Sequence, residues 1–161
     1  MTEKILLKKA TELVSFLKRN NLKIATAESC TGGMVSEYIT SVSGASEVFE
    51  LGVCSYSAKT KNEVLCVSPD TLEKFGTISS ETASEMALGV RVRANADIGV
   101  SVTGVAGPNS SEGHPVGYVF IAVSVKDKTV SKLLNIKPSS RNYVRKSAVI
   151  ELFKFIMEVI G

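Results

Sequence analysis

The 161-residue sequence predicts an α/β fold, a three-layer α/β/α sandwich with a mixed, mostly parallel sheet of about five strands. Three observations predict it. Helical periodicities alternate with short apolar runs as far as residue 103, which is the pattern of strands joined by crossover helices. Two β-type runs then follow one another directly, so a late hairpin adds antiparallel pairing. Length and composition, with 44% hydrophobic and 22% charged residues, suit one globular domain over 1–161 with a core that needs no staples.

Leu6, Ala10, Leu13 and Leu17 recur at helical spacing and predict an amphipathic helix over 3–19, stopped by Asn20-Asn21. Residues 22–27, LKIATA, read as a short buried strand. Gly32-Gly33 open a helix through about Val42, ended by Ser43-Gly44. Residues 48–56 form a second strand and 58–65 a helix. Ser68-Pro69 sets a cap with proline at the first helical position, and Gly76 closes that short helix. Ser79 or Ser80 caps a helix through about Ala94. Residues 97–103 form the third strand, which runs into Gly104-Val105-Ala106-Gly107-Pro108 and a polar loop over 109–115. Strands at 117–125 and 129–136 meet across Lys126-Asp127-Lys128. Val144, Ala148, Leu152, Phe155 and Val159 mark a last helix, capped by Ser139 or Ser140.

Several functions are disfavoured by composition. The net charge of +3 is too balanced for a nucleic-acid surface, and with no tryptophan and 6% aromatics there is little on which bases would stack. Cys30, Cys54 and Cys66 form no disulfide framework, and with His114 as the only histidine no zinc pattern appears. Cys54 and Cys66 read as core residues. Charges throughout the first twenty residues and the lack of a long apolar run predict no signal peptide and no membrane span, hence a cytoplasmic protein.

Open sheets bind ligands beyond the carboxyl ends of their parallel strands. The segments there are TAESCTGG (26–33), SYSAKTK (55–61) and TGVAGP (103–108). In the first, Ser29 and Cys30 stand before Thr31, Gly32 and Gly33, in the expected first turn of a helix. Free N–H groups there suit an oxyanion, though a serine or threonine before a glycine pair also serves as a plain cap. Cys30 is the stronger nucleophile intrinsically, but it lacks a histidine base and suits packing. In the second segment, a desolvated Lys61 can act as a base and Tyr56 can orient or relay the proton; the alternative is a solvated lysine and a strand-end tyrosine. TGVAGP suits a phosphate-approaching turn or an ordinary one, since no complete nucleotide fingerprint is present. Pro115-Val116-Gly117 re-enters the sheet as a far wall. Arg141 or Arg145, at a basic helix start over 137–146, suits a bound phosphate or a solvated end.

AESCTGG, the Tyr-Ser-x-x-x-Lys run at 56–61, TGVAGP followed by PVG, and the arginine-rich helix start together resemble the CinA C-terminal domain family from about residue 4 to 158. The resemblance implies an amidohydrolase without metal or cofactor. Its reaction would convert nicotinamide mononucleotide into nicotinate mononucleotide and ammonia, as part of pyridine-nucleotide recycling. It implies Ser29 as nucleophile, Tyr56 and Lys61 as the base, and Thr103 and Gly104 nearest the cleft. The family arginine falls on Arg141, with Arg145 second. The expected partners are a small nucleotide substrate and further copies of the chain, with no nucleic acid and no membrane. In relatives the loop before PVG is glycine-rich and ends in lysine, whereas here it reads Asn-Ser-Ser-Glu-Gly-His. Larger CinA proteins carry an extra N-terminal domain, so this chain is expected to be the stand-alone amidase. The rival readings are a non-catalytic nucleotide-binding or competence-related regulatory module, and a thiol hydrolase using Cys30.

Overall fold

The computed structural model describes residues 2–161. Its elements run α1 (Thr2–Arg19), β1 (Ile24–Glu28), α2 (Met34–Thr40), β2 (Phe49–Cys54), α3 (Ala58–Leu65), α4 (Pro69–Phe75), α5 (Ser80–Ala94), β3 (Ile98–Gly104), β4 (Tyr118–Val125), β5 (Lys128–Asn135) and α6 (Arg141–Ile160). A short 3₁₀ turn at Ala45–Glu47 precedes β2. The five strands form one sheet in the order β2-β1-β3-β4-β5. β1 pairs in parallel with β2 and β3, while β4 is antiparallel to both β3 and β5. Four strands therefore share one direction and β4 opposes them, the mixed α/β sheet that the alternating pattern predicts.

Strand side chains alternate in size as well as in facing, and this sets the two helical layers. Ile98, Val100 and Val102 of β3, with Val119, Ile121 and Val123 of β4, pack against Leu6, Leu13, Val144 and Leu152 of α1 and α6. Each such fully buried aliphatic side chain contributes about 1.5–3 kcal/mol of transfer free energy. The other face is built from small residues, Ala25, Ala27, Gly99, Ser101 and Ala122, so α5 lies close to the sheet. A Cβ on Gly99 would stand 2.1 Å from the Ala87 carbonyl oxygen. Ser101 Oγ donates to the Ala83 carbonyl at 2.6 Å, which partners a polar group on that dry face. Leu65 of α3 and Val67 complete the layer with Met86 and Val90 of α5.

Some sequence expectations shift. Gly32 and Gly33 have φ of +57° and +95°, so they form a left-handed turn ahead of α2, which starts only at Met34. Cys54 and Cys66 are exposed, not core. β2 is an edge strand whose burial alternates along its length, and Cys54 falls on the outward phase. Cys66 ends α3 in a left-handed conformation with φ of +58°. Ser57, Ser79 and Ser140 are the caps whose side chains accept the N–H three residues on. Among the described residues no helix is long and apolar enough to cross a membrane.

Candidate active site

The parallel strands β1, β2 and β3 end side by side, and the ladder continues one residue beyond β1. Ser29 N–H donates to the Val102 carbonyl at 3.0 Å, and Ser55 N–H donates to the Glu28 carbonyl at 2.9 Å. This fixes the backbone on both sides of Ser29. The chain then turns sharply, with Gly32 N–H donating to the Ser29 carbonyl at 3.0 Å. Positive φ at two successive residues requires glycine, because a Cβ would strain both.

The start of α2 holds an anion of its own. The Glu28 carboxylate, 1% exposed, accepts from Gly33 N–H at 3.0 Å, Val35 N–H at 2.9 Å, Ser36 N–H at 2.9 Å and Ser36 Oγ at 2.8 Å. Free N–H groups and the positive end of a helix favour such an anion. The glycine N–H groups therefore point neither at an oxyanion nor at a phosphate: Gly33 holds Glu28, and Gly32 holds Ser29. The N–H groups of Cys30 and Thr31 have no acceptor among the described residues. Thr31 is fully buried, its Oγ1 has no partner, and it does not border the cleft.

Lys61 enters from the first half of α3, whose start is fixed by a capping box between Ser57 and Thr60. Its ammonium is 1% exposed and donates to the Ser55 carbonyl at 2.7 Å and to Ser29 Oγ at 3.2 Å. No carboxylate lies within ion-pair distance of it among the described residues. Burial lowers its pKa from 10.5 to about 8, with the negative charge of Glu112 among the opposing influences. The pair Ser29–Lys61 thus combines a hydroxyl with an amine that loses its proton near neutrality. Cys30 is buried beside it, and burial pushes its thiol up to about 12. That leaves it protonated and unsuited to thiolate attack.

The two arginines of α6 take different places. Arg141 donates to the Gly107 carbonyl and to Tyr56 Oη at 2.8 Å, and it borders the cleft. Arg145 donates to the Thr31 carbonyl at 2.7 Å and to Asn142 Oδ1 at 3.0 Å, away from the cleft. It therefore clasps the turn after Ser29 from behind. Tyr56 is 62% exposed and bonds Arg141, with no hydrogen bond to Lys61 or Ser29. A proton relay through Tyr56 is not the geometry of the site; Tyr56 braces the guanidinium.

The cleft so formed has a volume of about 260 Å³. Ser29, Cys30, Tyr56, Thr103, Gly104 and Arg141 border it, while Lys61 lies directly behind Ser29. Thr103 uses its hydroxyl on the Thr77 carbonyl at 2.7 Å, so it shapes the wall rather than offering a free donor. Gly32, Gly33 and Arg145 do not border the cleft. Thr77 and Glu112 are among the bordering residues that escape sequence reasoning, with Ile78, Asn109 and Ser111. The signal for Glu112 was its place as the sole acidic residue in the polar 109–115 loop. His114 stacks on Tyr118 at 4.3 Å between ring centres and does not border the cleft.

Comparison with known proteins gives one answer at every level. The model of the CinA C-terminal domain matches residues 7–160. A CinA-like protein of Kosmotoga olearia is 42% identical over 149 residues, covering 92% of this chain and 36% of the relative. The chain spans about a third of the length of the curated relatives it matches. The crystal structure of the competence/damage inducible protein CihA from Agrobacterium tumefaciens superposes with a TM-score of 0.93 at 30% identity, covering 98% of this chain and 96% of that one. A CinA superfamily protein of Escherichia coli gives a TM-score of 0.92 at 27% identity over 96% and 90% of the two chains.

Proposed function

The chain belongs to the CinA C-terminal domain family, and from that premise we propose that it is an amidohydrolase that converts nicotinamide mononucleotide into nicotinate mononucleotide and ammonia. The observation that carries this reading is the buried Lys61 Nζ, 3.2 Å from Ser29 Oγ, at the floor of a cleft bordered by Arg141.

The chemistry follows from these groups. With a pKa near 8, about a tenth of Lys61 is neutral at pH 7 and able to accept a proton. Neutral Lys61 takes the proton of Ser29 as Oγ attacks the carboxamide carbon. The N–H of Cys30, which borders the cleft and belongs to the residue after the nucleophile, is the donor free to hold the developing oxyanion. As the tetrahedral intermediate collapses, the C–N bond breaks and the Lys61 ammonium returns its proton to the leaving nitrogen, giving ammonia. Water then attacks the nicotinoyl ester with Lys61 again as base, and the proton passes back to Ser29 Oγ. The positively charged pyridinium ring withdraws electrons from the carboxamide, which suits an oxygen nucleophile with an amine base. Arg141, paired only with neutral oxygens, has donors left for the 5′-phosphate.

The test is ammonia release from nicotinamide mononucleotide by the parent chain and by Ser29→Ala. The parent is expected to turn over and the variant to lose activity by at least a thousandfold, on the order of a lost nucleophile, with an unchanged circular dichroism spectrum. A parent chain that binds the nucleotide without turnover would instead favour the regulatory module that the relatives' competence names suggest. Full activity in Ser29→Ala would remove the serine mechanism.

A further inference from the structure

The cleft carries two opposite charges on separate anchors. Arg141 rests on Tyr56 and Gly107. The Glu112 carboxylate rests on Thr77, accepting its N–H at 2.8 Å and its hydroxyl through the other oxygen. Thr77 is itself tied to the end of β3, since its carbonyl accepts from Thr103 Oγ1 at 2.7 Å. Among the described residues neither Arg141 nor Glu112 has an ion-pair partner. Both charges are therefore uncompensated within the protein and border the same space as Ser29.

The place of Glu112 is built rather than incidental. Its loop closes on itself, Ser111 and His114 exchanging main-chain hydrogen bonds at 3.1 and 2.9 Å, with the His114 ring stacked on Tyr118. Gly76 leaves the room that the carboxylate occupies, for a Cβ there would lie 2.6 Å from Glu112 Oε2. The negative charge is felt in the reaction centre, where it strengthens the hold of Lys61 on its proton.

A substrate that carries an anionic phosphate at one end and a cationic ring at the other matches this pair of charges. We infer that Glu112 is a specificity-determining residue that selects the oxidised, positively charged pyridinium ring over neutral rings bearing the same carboxamide. The inference rests on the nucleotide reading above and assigns the two ends of that substrate: phosphate to Arg141, ring charge to Glu112. Because Glu112 is solvent-exposed at its edge of the cleft, its effect is modest, about threefold to tenfold in affinity, and it fades at high salt.

The experiment is calorimetric titration with nicotinamide mononucleotide and with its reduced dihydropyridine form, whose ring is neutral while phosphate, ribose and carboxamide are kept. It is run on Ser29→Ala, where nothing turns over, and in parallel on the parent with the reduced form. The oxidised ligand is expected to bind about threefold to tenfold more tightly than the reduced one. Adding Glu112→Gln, which keeps the shape and removes the charge, should erase that preference by weakening the oxidised ligand alone. Thr77→Val, which removes the hydroxyl under the carboxylate, should go part of the way, and Arg141→Ala should weaken both ligands alike. A preference that survives Glu112→Gln, or an equal loss for both ligands, overturns the role of Glu112 and leaves the nucleotide reading standing. Failure of both ligands to bind Ser29→Ala, with the reduced form failing to bind the parent as well, overturns the nucleotide reading and the inference together.

Discussion

Replacing Lys61 by Met should separate the cost of the buried base from its use. Lys61 is 1% exposed and its pKa lies near 8 instead of 10.5. At about 1.4 kcal/mol per pH unit, holding the charged form in the folded chain costs about 3 kcal/mol. Methionine fills similar space without charge but gives up the hydrogen bonds to the Ser55 carbonyl and Ser29 Oγ, a loss of about 1 kcal/mol. Lys61→Met is therefore expected to be about 2 kcal/mol more stable than the parent at pH 7. The sign follows from proton linkage. Below pH 8 the lysine is protonated in both states, and the penalty is constant. Between about 8 and 10.5 the unfolded chain binds the proton and the folded chain does not, so the parent gains stability as pH rises. The advantage of methionine should shrink through that window and reverse, to about 1 kcal/mol in favour of the parent, near pH 10.5. Urea unfolding of both proteins at steps from pH 7 to 10.5 reads the difference directly. Activity gives the second arm: ammonia release by the parent should climb about tenfold per unit up to pH 8 and then level, while Lys61→Met stays inactive throughout. A stability difference flat in pH, or a parent rate flat from pH 6 to 9, would refute a buried lysine acting as the base.

Glu28→Gln turns an amide NH₂ toward N–H groups that now share a carboxylate, so unfolding in urea should show a loss of about 2–4 kcal/mol. Arg141→Ala should raise the KM for nicotinamide mononucleotide by about tenfold to a hundredfold, the loss of a charge-assisted phosphate contact. Arg145→Ala, which frees the turn carrying Ser29, should lower kcat and leave KM within about threefold. Cys30→Ala should keep ammonia release within about threefold of the parent, and alkylation of the Cys30 thiol, followed by mass spectrometry, should be slow below pH 10.

Element order was legible because its signals are local. Leucines at helical spacing, serines before helices and the short polar bridge at 126–128 each act within a few residues, and the helices and strands stand where those signals put them. Relations across the chain were harder to see. A glycine pair before a helix has the same appearance whether it is the first turn or a left-handed approach, so the true start of α2 was hidden. Glu28 looks like the polar end of a strand, and only the fold reveals that it turns back onto the helix it precedes. The outward phase of Cys54 depends on β2 being an edge strand, which is a property of strand order and not of the segment. Arg141 and Arg145, four residues apart, lie on one helix face; which of them meets the cleft depends on the loops after β1 and β3. Glu112 carried no motif, and its importance comes from the glycine and threonine that receive it.

The two arginine clasps also tie the last helix to the early part of the chain. Ser29 and Lys61 lie 32 residues apart, whereas Arg141 reaches back 85 residues to Tyr56 and Arg145 reaches back 114 to Thr31. Closing the longest of these loops costs about 1 kcal/mol more chain entropy than closing the shortest, and α6 emerges from synthesis only after every strand has done so. Ser29 and Lys61 belong to the early half of the chain and both arginines to its final helix. A chain cut before residue 141 would keep Ser29 and Lys61 but lose both guanidiniums, so under the proposed function docking of α6 is the step that completes the substrate site.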